Sequence, residues 1–179
     1  YYGVSNKKKR QRPKAVMKIT RRIMMIGAAF GLVGCAGKIR EYNGPDITMI
    51  EIFKGKRLMR LMSGGRVLRS YNFELGFAPK GHKEFEGDGR TPEGAYYINR
   101  RNPNSRFHLS LGISYPNTND AQRARAQGKS PGGDIFIHGT PDQYVGEPDW
   151  TWGCIAVTNA EMEEIYAMID DGTKIFIYP

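Results

Sequence analysis

The run Thr151-Trp152-Gly153-Cys154-Ile155-Ala156-Val157-Thr158-Asn159-Ala160-Glu161 decides how this chain reads. Ile155 and Val157 fit one face of a short strand, and Thr158-Asn159-Ala160-Glu161 has the form of a capping box that opens a helix. The helix is predicted over Asn159 to Ile169, because Met162, Ile165, Tyr166 and Ile169 then fall on one apolar stripe that a core covers. Cys154 is therefore placed in a turn just ahead of a strand and a helix. The helix cap lies four residues on, so the helix dipole, which fades beyond the first turn, adds little to the thiol's acidity.

Upstream, Ile137-His138-Gly139-Thr140 puts an imidazole where the apolar run Ile135-Phe136-Ile137 opens into a loop. A thiol and an imidazole are the nucleophile and base that acyl transfer through a thioester requires. Attack needs a thiolate, so His138 is expected to bring the thiol from its free value of ~8.5 toward neutrality. Gly153 has no Cβ to hold a substrate away, and its amide and that of Cys154 are the candidate oxyanion donors. His108, in Phe107-His108-Leu109-Ser110, is expected to share a strand face with Ser110, and His82 to sit in a solvated loop. The histidines lack the helical spacing of a metal pair, and a lone thiol cannot build a thiolate zinc site, so neither a metal nor a cofactor is expected.

The rest of the chain reads as a β-rich domain. Strands are predicted at Ile47–Phe53, Arg57–Met62, Val67–Leu75, Ala95–Ile98, Phe107–Ile113, Ile135–His138 and Lys174–Tyr178, with hairpin turns at Lys54-Gly55-Lys56 and Ser63-Gly64-Gly65-Arg66. A second, polar helix is predicted on the surface over Thr118–Gln127, closed by Gly128. Residues 41–179 are enough for one domain with a core of its own.

The first 40 residues read differently. Of 27 Lys and Arg and 18 Asp and Glu in the chain, 11 basic and no acidic residues fall in 1–40, so the net +9 becomes −2 for 41–179. The domain thus offers no overall positive charge to a nucleic acid. Residues 1–16 read as an upstream leader or translation artefact ahead of Met17, and 17–34 as an export signal with a basic start and the uncharged run Ile23–Gly34, shorter than the ~20 residues a membrane span needs. Leu32-Val33-Gly34-Cys35 resembles a bacterial lipobox, which implies lipidation of Cys35, a membrane anchor and a periplasmic site, with Ala36 favouring the outer membrane; cleavage near Ala36 by an ordinary signal peptidase is the alternative. Either way, Cys154 is left with no cysteine partner. In an exported protein that makes it an inert buried thiol or a reactive free one.

Three motifs in order, Gly-Asp-Gly-Arg-Thr-Pro-Glu-Gly at 87–94, His138-Gly139 and Thr-Trp-Gly-Cys at 151–154, resemble the L,D-transpeptidase catalytic domain, also called YkuD-like, from about Ile47 to Pro179. The resemblance implies a β-rich domain acting on peptidoglycan stem peptides. Cys154 would attack the L,D-bond after the third stem residue, and an amine or water would then take the acyl group from the thioester. It implies His138 as base and later acid, and the Gly139 carbonyl as the group that orients the imidazole. Two positions depart from the family pattern: Trp152 stands for a His, and Ala156 for an Arg or Asn. The departures, in the context Asp149–Asn159, resemble a subgroup of envelope proteins that includes enzymes hydrolysing the link between peptidoglycan and an outer-membrane lipoprotein. Three functions therefore stay open: transfer to an amine, thiol-dependent hydrolysis that releases a peptidoglycan-linked lipoprotein or D-Ala, and noncatalytic peptidoglycan binding. Trp152, Tyr115, His108 and Arg106 are the candidate substrate contacts.

Overall fold

Alternation along the chain builds strands with one apolar face. In the computed structural model, which describes residues 37–179, these are β1 (Met49–Phe53), β2 (Leu58–Ser63), β3 (Arg66–Asn72), β4 (Gly94–Asn102), β5 (Ser110–Ile113), β6 (Phe136–His138), β7 (Ile155–Ala156) and β8 (Lys174–Tyr178). Two helices join them, α1 (Thr118–Ala126) and α2 (Asn159–Met168). The mainly β class expected from the sequence is the observed one. The leader, the export signal and Cys35 lie outside the described residues.

The strands form one sheet in the order β3-β2-β1-β8-β4-β5-β6-β7. Most neighbours are antiparallel, but β1 runs parallel to β8 and β6 parallel to β7. β4 serves both halves: Gly94–Tyr97 pair with β8, and from Ile98 on it pairs with β5, with an irregularity between Ile98 and Arg100. Such an irregularity bends a strand and increases its twist. The curled sheet then meets itself, because the chain after β3 pairs with β7 through Glu74 N–H to Ala156 O at 2.8 Å and Ala156 N–H to Glu74 O at 2.9 Å.

The core lies on the inner faces of Ile50, Ile52, Met59, Leu61, Ile98, Leu111, Ile137, Ile155 and Ile175 and under α2. Helix α2 presents the expected stripe, with Met162, Ile165, Tyr166 and Ile169 all buried and Met168 beside them. Its capping box forms as read: Thr158 Oγ1 accepts from Glu161 N–H, and the Glu161 carboxylate accepts from Thr158 N–H at 2.9 Å. Arg101 closes the other end, donating to Tyr166 O at 2.8 Å and to Ile169 O with its face on the Tyr166 ring. The helix that positions the strand after the nucleophile is thus held at both ends.

Several predicted boundaries change. The strand expected at Phe107–Ile113 begins only at Ser110, because His108 has a left-handed backbone (φ 71°), a conformation that breaks a pleated strand. Lys54-Gly55-Lys56 does turn the β1–β2 hairpin as expected, and does so as a 3-10 turn ending in left-handed Arg57. β4 runs on to Asn102, past the predicted Ile98. Helix α1 is not purely a surface helix, since Asp120 and Ala124 are buried. The Asp120 carboxylate accepts from Tyr96 OH at 2.8 Å, Asn117 N–H at 3.0 Å and the Arg123 guanidinium at 2.6 Å. His82 joins the same network instead of lying free in a loop: its Nε2 is 3.2 Å from Asp120, and its Nδ1 accepts from Glu93 N–H at 3.0 Å.

Candidate active site

Strand β6 ends on His138, and Cys154 stands just before its parallel partner β7. The register of the two strands sets Ile137 against Ile155 and His138 against Ala156. Side chains alternate along a strand, so Ile137 and Ile155 enter the core while His138 and Cys154 share the opposite face, offset by two residues. The resemblance-based pairing of nucleophile and base is thus placed on one surface by two short strands.

His138 is held by a carbonyl and by rings. Its Nδ1 lies 2.7 Å from Gly139 O. A carbonyl can only accept, so Nδ1 carries the proton and Nε2 keeps its lone pair. Phe107 packs on the imidazole at 4.6 Å between centroids and Trp150 stands edge-on at 5.5 Å, with Tyr144 stacked on Trp150 at 4.2 Å. This burial pushes the imidazole down to about 4, against the smaller opposing effect of the Gly139 carbonyl.

The thiol is also governed by burial. Desolvation pushes Cys154 up to about 11, and the Phe136 amide and Lys83 ammonium offset only part of that. Its Sγ lies 3.6 Å from Asp134 O, and no hydrogen bond joins it to the His138 ring among the described residues. The expectation that His138 holds the thiol near neutrality is therefore corrected. The resting pair is a neutral thiol beside a neutral imidazole, because burial costs each charged form more than the Phe136 amide, Lys83 and the Gly139 carbonyl return.

The turn before the thiol is tightly braced. Gly153 has φ +115°, and a Cβ there would fall 2.5 Å from Arg90 O, so only glycine fits. Thr151 Oγ1 donates to Cys154 O at 2.8 Å and accepts from Gly153 N–H at 3.2 Å. Thr91 Oγ1, fully buried, donates to Gly153 O at 2.8 Å. Of the two amides expected to face an oxyanion, Gly153 N–H already has a partner, whereas Cys154 N–H makes no hydrogen bond among the described residues.

The loop that delivers Thr91 has its own scaffold. The Asp88 carboxylate accepts from Glu84 N–H at 2.7 Å, Phe85 N–H at 3.2 Å and Arg90 N–H at 3.0 Å, and pairs with buried Lys83 at 2.9 Å. These donors hold its carboxyl below the usual range although burial alone would raise it. Lys54, also buried, donates to Thr91 O at 3.0 Å and Glu93 at 2.8 Å. Glu93 is thus an ion-pair partner of Lys54.

The candidate substrate contacts separate. Trp152 is 73 % exposed and meets exposed Phe77 edge-on at 5.3 Å, an aromatic pair on the surface next to the nucleophile. Tyr115 is buried, its hydroxyl donating to Pro131 O at 3.0 Å, so it is a core residue and not a cleft wall. His108 does not share a face with Ser110; it turns to α2 and pairs with Glu163 at 2.9 Å. Arg106 is exposed. Trp150 and Tyr144 also line an open cavity of about 550 Å³ with Glu74, Asp142, Glu147 and Glu161, and no Lys or Arg is in that lining.

Comparison with known proteins agrees with this geometry. The family described as the L,D-transpeptidase catalytic domain matches residues 47–177. The chain belongs to that family. The Escherichia coli (strain K12) protein named "Putative L,D-transpeptidase YafK" is 31% identical over 136 residues, covering 73% of this chain and 50% of its own length. The crystal structure of the helical cell shape determining protein Pgp2 from Campylobacter jejuni superposes with a TM-score of 0.60 at 26% identity, covering 80% of this chain and 51% of that one. Bd1075 of Bdellovibrio bacteriovorus shares the fold, with a TM-score of 0.54 at 24% identity over 78% of this chain and 50% of that one. The chain spans about half the length of the relatives it matches.

Proposed function

We propose that this protein is a cysteine-dependent L,D-transpeptidase of peptidoglycan, working through a thioester on Cys154. The observation that carries the reading is the His138 tautomer: with Nδ1–H given to Gly139 O, bare Nε2 is the base on the face that also bears the thiol.

Because both groups rest neutral, the thiol gives up its proton as it attacks and not before. Sγ bonds to the carbonyl carbon of the third stem residue while its proton passes to His138 Nε2. The carbonyl oxygen becomes an oxyanion facing Cys154 N–H. Collapse breaks the C–N bond, and the departing D-Ala amine takes the proton from Nε2. An acceptor amine then attacks the thioester, loses a proton to Nε2, and expels the sulfur, which is reprotonated. The carboxylate-rich cavity beside Trp150 supports an amine-bearing acceptor, since four acids without a base in the lining attract a cation. Hydrolysis on the same site, with water as acceptor, is the alternative.

The proposal extends to place and partner. Stem peptides in the envelope are the substrate, a peptidoglycan-linked lipoprotein is a candidate second substrate, and lipidation of Cys35 would fix the domain to a membrane facing the periplasm. A part in cell shape is supported by similarity to Pgp2.

The test is to incubate the protein with tetrapeptide muropeptides and with lipoprotein-linked muropeptides and to identify the products by mass. Transfer gives a new crosslink or an exchanged D-amino acid, and hydrolysis gives a tripeptide stem or a freed lipoprotein peptide. Cys154→Ala is expected to give neither. If that variant processes either substrate at the wild-type rate, the thioester mechanism is wrong.

A further inference from the structure

The hydroxyl of Thr91 reaches the nucleophile turn from 62 residues away in sequence, and its target is the carbonyl of Gly153. That carbonyl belongs to the same peptide unit as the Cys154 N–H. In a planar trans peptide the C=O and N–H point in opposite directions. A donor that fixes Gly153 O toward the protein interior therefore turns Cys154 N–H outward, away from Thr91.

The neighbouring groups remove the remaining freedom. Thr151 Oγ1 accepts from Gly153 N–H and donates to Cys154 O, so the peptide units on either side are also tied. Within the two residues Gly153 and Cys154, the Cys154 N–H is the backbone polar group left open. Rotation of the Gly153–Cys154 plane would break the Thr91 bond and leave a fully buried hydroxyl without an acceptor, which burial makes costly.

From this geometry we infer that Thr91 is the positioning residue for the oxyanion donor: it touches no reacting atom, and it sets the direction of the Cys154 amide. The inference rests on Cys154 acting as an acyl-accepting nucleophile. It gives a role to the Gly87–Gly94 loop, whose Asp88 and Lys54 anchors hold Thr91 in place.

The test compares two reactions of the same thiol in the full chain. Acetylation by p-nitrophenyl acetate joins Sγ to the acetyl carbon, expels p-nitrophenoxide, and passes through an oxyanion; alkylation by iodoacetamide expels iodide and forms none. Thr91→Val is expected to lower the acetylation rate about 10-fold or more, since one oxyanion donor commonly carries that much or more, while alkylation stays within about twofold. Thr91→Ser, which restores the hydroxyl, is expected to return acetylation to within about threefold of wild type by the same reasoning. If Thr91→Val unfolds below the assay temperature, Thr91→Ala removes the hydroxyl with less bulk and takes its place. Equal acetylation by wild type and Thr91→Val overturns the inference. So does a parallel fall in both reactions, or a Thr91→Ser that stays as slow as the Val variant. These probes do not require a stem peptide, so a protein that ignores muropeptides yet shows the Thr91 effect would contradict the proposed substrate and leave the positioning role standing.

Discussion

At Cys154, burial opposes the chemistry that the residue is there to perform. A thiol held up to about 11 and an imidazole pushed down to about 4 have their charged forms disfavoured together, so no thiolate–imidazolium pair stands ready at neutral pH. The sign follows directly. The thiol titrates above its ordinary value, so the thiolate fraction keeps growing as pH rises past neutrality. Iodoacetamide alkylation is therefore expected to speed up about tenfold per pH unit from 6 to 9 without a plateau. Mass-resolved alkylation rates across that range check this. A plateau near pH 7, lost in His138→Gln, would mean that a preformed ion pair exists and that the neutral resting state is wrong.

The same scale explains what the sequence could disclose. Cys154 and His138 are legible as candidates because each is a reactive type with a glycine next to it in the chain. Thr91, the Lys83–Asp88 pair and the Phe107–Trp150 ring box are not. Their roles arise across the fold, as the 62-residue separation of Thr91 from Gly153 illustrates. Tyr115 loses its candidate role for the converse reason: burial and a backbone acceptor decide what the side chain does, and neither is written in local spacing.

At the scale of elements, the capping box and apolar stripe of α2 were readable, whereas the Asn117–Asp120 box of α1 and the strand ends were not. Thr158 and Glu161 cap α2 through contacts three residues apart, which a sequence contains in full. Strand β5 starts late because His108 turns left-handed and reaches for Glu163 on α2, a tertiary contact. The packing of the segment after β3 against the nucleophile turn shows how little room these elements leave. A Cβ at Gly76 would collide with Gly89 O, and would lie 2.6 Å from Gly153 N. Both obstacles are backbone, so the turn must shift. Gly76→Ala is expected to lower stability by about 1–3 kcal/mol, the usual cost of overpacking, and to slow acylation of Cys154 as well. Thermal unfolding and acyl-enzyme yield measure the two effects. Wild-type behaviour in both would show that the turn is not confined as described.

At the scale of the molecule, a curled sheet closed by Glu74 and Ala156 brings three distant stretches to one place: the Gly87–Gly94 loop, the end of β6, and the turn before β7. The family's three motifs are separate in sequence; the β6–β7 pairing joins two of them, and the Thr91–Gly153 bond brings in the third. The net −2 of residues 41–179 fits a domain whose cavity beside the site is lined by acids, and the chain's overall positive charge comes from its first 40 residues. The central claim is that Cys154 takes the acyl group of a stem peptide. Its most direct test is peptide-level mass mapping after quenching the protein with a tetrapeptide stem in acid, which preserves a thioester. The account predicts a tripeptide-stem adduct on Cys154 that is absent from Cys154→Ala and accumulates more slowly in His138→Gln. A product formed by wild type with no adduct on Cys154 at any quench time, and formed equally by Cys154→Ala, would contradict it.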